Sequence, residues 1–212
     1  MAVYVSDILI IVRVYSVASL GASALNGMQL HARWKLWDPR VSYRPFALNQ
    51  TFGFLNKELN RVTPDLWVAV LHKRLIGGGA ALPVRSNNTG SVLSWTHCPR
   101  GVDSVAGVSF VLMFSNPLNF TADISVASTP GTESAAAEAI HEEFVRTGAS
   151  KADGLMSTFA SLNGGAPLAL SENGEPPSLQ GRRAAAGRRE LSLPPFSYGF
   201  VAFSGPPLSA CA

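Results

Sequence analysis

Leu193-Pro194-Pro195-Phe196-Ser197-Tyr198-Gly199-Phe200-Val201-Ala202-Phe203 decides how this chain is read. Val, Phe and Tyr favour strands. In an extended backbone Tyr198, Phe200 and Ala202 point to one face, and Gly199, Val201 and Phe203 to the other. The paired prolines before the run and Gly205-Pro206-Pro207 after it mark its ends. It reads as the last strand of a β-sandwich. Cys211 follows, and the other cysteine, Cys98, ends a similar run, Ser91-Val92-Leu93-Ser94-Trp95-Thr96-His97. A bridge between them would close a loop of about 100 residues, which chain-entropy reasoning credits with about 4.7 kcal/mol. Two cysteines, each ending a strand-like run, read as structural rather than catalytic.

Working back towards the N-terminus, the same period-two signal predicts strands at residues 81–85, 92–98, 108–114, 121–126, 156–162 and 166–170. Several short strands separated by turn residues predict an antiparallel sandwich. Before residue 80 the period changes. Ser16 to Ala32 is helix-compatible, with Val17, Leu20, Ala24, Leu25, Met28 and Ala32 near 3.6-residue spacing. A second helix has Thr63 as N-cap, Pro64 in its first turn and Asp65 at the positive end of its dipole. Leu66, Val70, Leu71 and Leu75 line its predicted face, and Gly77-Gly78-Gly79 ends it. Thr129 to Ala139 reads as a loose helix or insertion, and Gly181 to Arg189 as a mobile loop of low complexity.

Hydrophobic residues make up 47% of the 212 and charged residues 15%, which excludes wholesale disorder and leaves room for one good domain or a domain plus a remnant. A net charge of +3 is mild, and its excess gathers at Arg182, Arg183, Arg188 and Arg189. Those four are candidates for binding a polyanion, set against the plainer reading of a flexible basic loop. Sequons stand at Asn49, Asn87 and Asn119, and with a candidate disulfide they lean towards a secretory route. Met1 to Leu20 is apolar, but Asp7 and Arg13 interrupt it, so it reads as neither a signal peptide nor a transmembrane span. The expectation is a chain lacking its front end.

Catalytic patterns are scarce. His31, His72, His97 and His141 have no metal-ligand spacing, and no phosphate-binding loop is present, so no metal or cofactor is expected. Glu142 and Glu143 are adjacent, point apart in any regular element, and read as a solvated surface pair. Cys98 beside His97 could form a nucleophile pair only if both faced one side, which strand neighbours do not. Trp34, Trp37 and Trp67 read as buried packing rather than a sugar-stacking platform.

With these elements placed, the chain resembles the C-terminal part of the heparanase family, glycoside hydrolase family 79. Five ordered pieces carry the resemblance. Asp65 to Gly77 resembles the family's aspartate-aromatic helix with its Leu-x-Gly step, and Val92 to Cys98 its strand ending His-Cys. Ser161-Leu162-Asn163-Gly164 with Pro176-Pro177-Ser178-Leu179 resembles its Leu-Asn-Gly hairpin and following Pro-x-Leu segment. Leu193 to Phe203 resembles its Leu-Pro-x-Phe-Ser-Tyr-x-Phe ending, and Ser209-Ala210-Cys211 its terminal Ala-Cys.

The resemblance implies a mainly-β fold: an antiparallel β-sandwich over 80–212, preceded over 1–79 by a helical remnant of a (β/α)8 glycosidase barrel. It implies a disulfide matching Cys98 and Cys211, and a short strand from farther upstream that completes the sandwich. The family's activity is retaining hydrolysis of β-glucuronides by two carboxyl groups in the barrel. Leu25 to Arg33 resembles the helix shortly after the nucleophile strand, and the family's spacing sets the nucleophile near Ala2, where there is no glutamate; Glu58 is the first Glu. The acid/base would lie farther upstream. The chain is therefore expected to be inactive alone.

Arg44 to Asn56 aligns with the family's Gly-Gly-Asn-Tyr loop, which holds the uronate carboxylate. Asn49 and Gln50 replace its glycines and Phe52 its tyrosine, so this candidate substrate-binding loop is degraded. Implied partners are a glycosaminoglycan-like polysaccharide or a barrel-bearing chain, with no nucleic acid. The implied location is extracellular or lysosome- or vacuole-like, with membrane association. A non-catalytic module that binds polysaccharide or completes a partner is the alternative.

Overall fold

The computed structural model describes residues 20–22, 24, 55–56, 61–62, 64–82, 92–100, 107–126, 139–148, 157, 159–185, 187–206 and 208–211. Residues 20–22 and 24 are helical. Then follow strands β1 (Leu55–Asn56) and β2 (Arg61–Val62), helix α1 (Pro64–Leu75), and strands β3 (Ala81–Leu82), β4 (Leu93–His97), β5 (Val108–Asn116) and β6 (Ala122–Ser125). Beyond them lie β7 (Ala139–Gly148), β8 (Ala160–Leu162), β9 (Arg182–Arg183), β10 (Glu190–Leu193) and β11 (Ser197–Ser204), with a 3-10 turn at Ser209–Cys211.

β11 lies in the middle of the main sheet. Antiparallel pairing runs β3-β4-β5-β11-β7-β8, with β9 also paired to β7. β6 and β10 form a separate two-stranded sheet, and β1 and β2 another. Because β11 is apolar on both sides, both faces of the main sheet need cover. Val201 and Phe203 pack with Phe110, Leu112, Phe114, Val145, Leu191 and Leu193 towards the β6–β10 sheet. The Phe110 and Phe203 rings stack with centroids 4.6 Å apart. Tyr198 and Phe200 pack with Val111, Met113 and Phe144 towards α1. The fold is thus mainly β and antiparallel, with two sheets layered as in a sandwich and a helix on the far side.

Local chemistry accounts for α1. Pro64 fits the first turn, Asp65 sits at the positive end of the dipole, and His72, Lys73 and Arg74 occupy the last turn. Gly77, at φ 57°, takes the left-handed conformation that ends the helix, and the N–H groups of Ile76 and Gly77 both donate to the His72 carbonyl at 2.9 Å. The buried side is Trp67, Val68, Leu71 and Leu75, while Leu66 and Val70 are half-buried. This corrects the predicted stripe by part of a turn. Burying a side chain such as Leu71 completely is worth roughly 1.5–3 kcal/mol.

The barrel remnant expected over 1–79 is not shown by the described residues. Its described helix, α1, shares one core with the sheet across the boundary set at 79/80. The apolar side of α1 is covered, because the sheet's own apolar face needs the same contact. Leu20 joins this core, and a Cβ at buried Gly21 would run into the Trp95 indole, so the helical residues 20–22 lie against β4.

Three further expectations change. β8 begins only at Ala160, and of residues 166–170 only Pro167 bridges to Ser161. Residues 129–138 lie outside the described residues, and Ala139 opens β7, a ten-residue strand in a stretch where no strand was predicted. The segment expected to be a mobile loop contains β9, paired to β7, and its last residues lead into β10.

Candidate functional site

β7 reads Ala-Ile-His-Glu-Glu-Phe-Val-Arg-Thr-Gly, and it is buried through its middle. The pairing with β11 slips at Ala202/Phe203, where His141 is the extra residue on β7. That bulge changes which side chains share a face. Ile140 and Val145 lie in the core towards β6–β10, and Phe144 lies in the core towards α1. Glu143, two residues from Val145, points to the β6–β10 side and is 0% exposed. A surface pair was expected here, and Glu143 is the correction.

A buried carboxylate must be neutralised and hydrogen-bonded. Arg182 donates from Nε at 3.1 Å and from Nη2 at 2.6 Å to Glu143 Oε2. Arg188 brings Nη1 to 2.7 Å from Oε1. The two guanidinium groups remain partly wet, with side-chain exposures of 57% and 35%, whereas the carboxylate is dry. Glu143 therefore ties together β9 and the strap that leads into β10. Main-chain bonds support the same junction: Ile140 N–H donates to the Arg188 carbonyl at 2.7 Å, and Ala184 N–H to that of His141 at 3.3 Å.

Between β8 and β9 the edge of β7 is filled by one side chain. Asn163, at φ 52°, accepts from Val145 N–H through Oδ1 and donates from Nδ2 to the Glu143 carbonyl, both at 2.9 Å. Its amide thus stands in for a strand partner, and Gly164 at φ 74° completes the turn. Nearby, buried Arg146 donates from Nη2 to the Pro64 carbonyl at 2.7 Å and lies over the Tyr198 ring, 4.8 Å from its centroid. β7 is thereby joined to the start of α1 by a charge-assisted hydrogen bond and a cation–π contact.

The arginines expected to act as one group are divided by this geometry. Arg182 and Arg188 are held by Glu143, while Arg183 and Arg189 are exposed. Cys98 and Cys211 form a disulfide with Cα atoms 5.4 Å apart, so Cys98 is no nucleophile. His97 is fully buried and meets the edge of His72, with ring centroids 6.2 Å apart. Desolvation lowers its pKa below the usual 6.5, and the backbone of Gly79 offsets part of that shift. Trp67 is buried packing. Asn119 is exposed between β5 and β6 beside exposed Phe120, leaving that sequon open to modification. Asn49, Gln50, Phe52, Asn87, Trp34 and Trp37 lie outside the described residues.

Glu142 and Glu143 leave the strand on opposite faces, so they cannot flank one glycosidic bond as acid and nucleophile. Among the described residues no group of three or more His, Cys, Asp or Glu is placed to hold a metal, and no helix is long and apolar enough to cross a membrane. The ion-paired trio was missed in the sequence because its signal lies in register. Glu142-Glu143 opposite Arg182-Arg183 is charge-complementary only once the strands are paired antiparallel. No family model matches the chain, and no curated protein was found to be similar to it.

Proposed function

We propose that this chain supplies the accessory β-layers of a heparanase-like glycoside hydrolase, of the retaining β-glucuronidase class acting on uronate-containing glycans. In this reading the layers hold no hydrolytic centre of their own. The observation that supports it is the joining of Cys98 to Cys211, which ties the end of β4 to the segment after β11, the two stretches that carry the resemblance's clearest endings. The layered antiparallel body with a helix docked on one face is compatible with a barrel standing beside it. An assay on a β-glucuronide should show no turnover by the chain alone, and turnover on co-expression with a barrel-bearing polypeptide that carries the two glutamates. Turnover by the chain alone, abolished by a substitution within it, would overturn the reading. A secretory location belongs to the same proposal, and exposed Asn119 is its most accessible check: Asn119→Gln should remove a glycan mass from secreted material.

A second reading has its own observation. With Arg182 and Arg188 engaged, exposed Arg183 and Arg189 are left to meet an anionic glycan. Heparin retention that weakens with salt and is lost in Arg183→Ala/Arg189→Ala would support it. Retention unchanged in that variant would remove it.

A further inference from the structure

Dibasic pairs occur at three places in the chain: Lys73-Arg74, Arg182-Arg183 and Arg188-Arg189. The first is held in a regular element, although Lys73 itself is exposed. Lys73 and Arg74 lie in the last turn of α1, and Arg74 donates from Nη1 to the Leu179 carbonyl at 3.0 Å. An endoprotease reads its substrate as an extended strand, so that pair can be cut only if the helix unwinds. The other two bracket the strap between β9 and β10. There Arg183, Ala185, Gly187, Arg189 and Glu190 are exposed, and Gly187 takes a left-handed φ of 75°. β9 is a ladder of only two residues, which opens at far lower cost than the sheet interior.

The same geometry fixes what a cut would do. Upstream of the strap Arg182 is bound to Glu143, and downstream of it Arg188 is bound to the same carboxylate. β10 is paired to β6, and β11 is laddered to both β5 and β7. Cys211, beyond β11, is joined covalently to Cys98. A chain opened at Arg183–Ala184 or Arg189–Glu190 would keep its fold, and its C-terminal piece would stay attached.

We propose that the β9–β10 strap is a processing site for a dibasic-specific endoprotease, yielding a two-chain form held together by Cys98–Cys211. Hydrolysis adds one water across the Arg183–Ala184 or Arg189–Glu190 bond, leaving an arginine carboxylate and a new amino terminus at Ala184 or Glu190. The inference does not depend on the glycosidase reading. Its test treats the oxidised chain with a kexin-class endoprotease and reads the new termini by mass spectrometry, with and without reductant.

The expected result is cleavage after Arg183 or Arg189 at least about tenfold faster than after Arg74, in keeping with the different opening costs of strap and helix. The fragment should separate only on reduction. Arg183→Gln/Arg189→Gln, which leaves both partners of Glu143 in place, should abolish the cut. Equal cleavage after Arg74 would overturn the proposal. So would a strap left intact under conditions that cleave it in the unfolded chain, or a fragment that leaves without reductant.

Discussion

β11 and β7 lie side by side in one sheet, β11 buried along nearly its whole length and β7 through its middle, and they are held there by different chemistry. β11 carries Tyr198, Phe200, Val201 and Phe203 and is fixed by apolar packing on both faces. β7 carries half-buried His141 and Glu142 and fully buried Glu143 and Arg146, and depends on partners for its buried charges. The apolar strand is legible in isolation because its stabilisation is non-directional and belongs to its own side chains. The charged strand has no such independence. It is a strand because Arg182 and Arg188 neutralise Glu143, and because Arg146 reaches the Pro64 carbonyl.

The contrast can be broken from either side. The largest effect is expected at the far end of β11: Cys98→Ala/Cys211→Ala should cost up to about 4.7 kcal/mol by loop entropy, read as a lowered denaturant midpoint. Next comes the apolar anchor. Phe200→Ala removes a fully buried ring between sheet and helix, and about 4 kcal/mol of stability should be lost. On the charged side, Arg182→Ala/Arg188→Ala strands a dry carboxylate and should cost about 3 kcal/mol, towards the low end for a buried pair because both guanidinium groups touch water. Glu143→Met asks the sharper question. Removing the buried charge altogether should cost less than about 1 kcal/mol, since an apolar side chain of similar size can replace a buried ion. A loss as large as that of the double arginine variant would mean that β7 needs the ion pairs themselves.

The smallest effect is on pH. His97 is buried in its neutral form, with its folded pKa below 6.5. Below that pH the unfolded chain binds the proton more readily than the folded one, so stability rises with pH in that range. Stability should therefore be full above about 6.5 and decline as the pH falls through and below it. Equilibrium unfolding at a series of pH values should show this slope, and His97→Leu should flatten it.

The legible part of the fold follows the same division. The period-two runs predicted β4, β5, β6 and β11, and cap chemistry predicted α1. β7 escaped for two physical reasons. Its charges mimic a solvated segment, and the bulge at His141 breaks the alternation that would have set Ile140 and Phe144 on one face. β9 and β10 escaped because a two-residue ladder and a short strand have almost no local signature. The candidate site was legible only as composition. Four arginines were visible, but the choice of Arg182 and Arg188 as the ion-paired two depends on a glutamate far away in the sequence.

The central place of β11 has a consequence for how the molecule is made. A ribosome delivers β3 to β10 first, and none of them can close the main sheet, because the strand that joins β5 to β7 is synthesised after both. Until residue 204 is clear of the exit tunnel, two half-sheets wait with bare edges and uncovered apolar faces. The contacts that complete the sheet are long-range, so its closure waits on β11. A stop codon a few residues before Phe200 would therefore remove the middle of the sheet, not its margin.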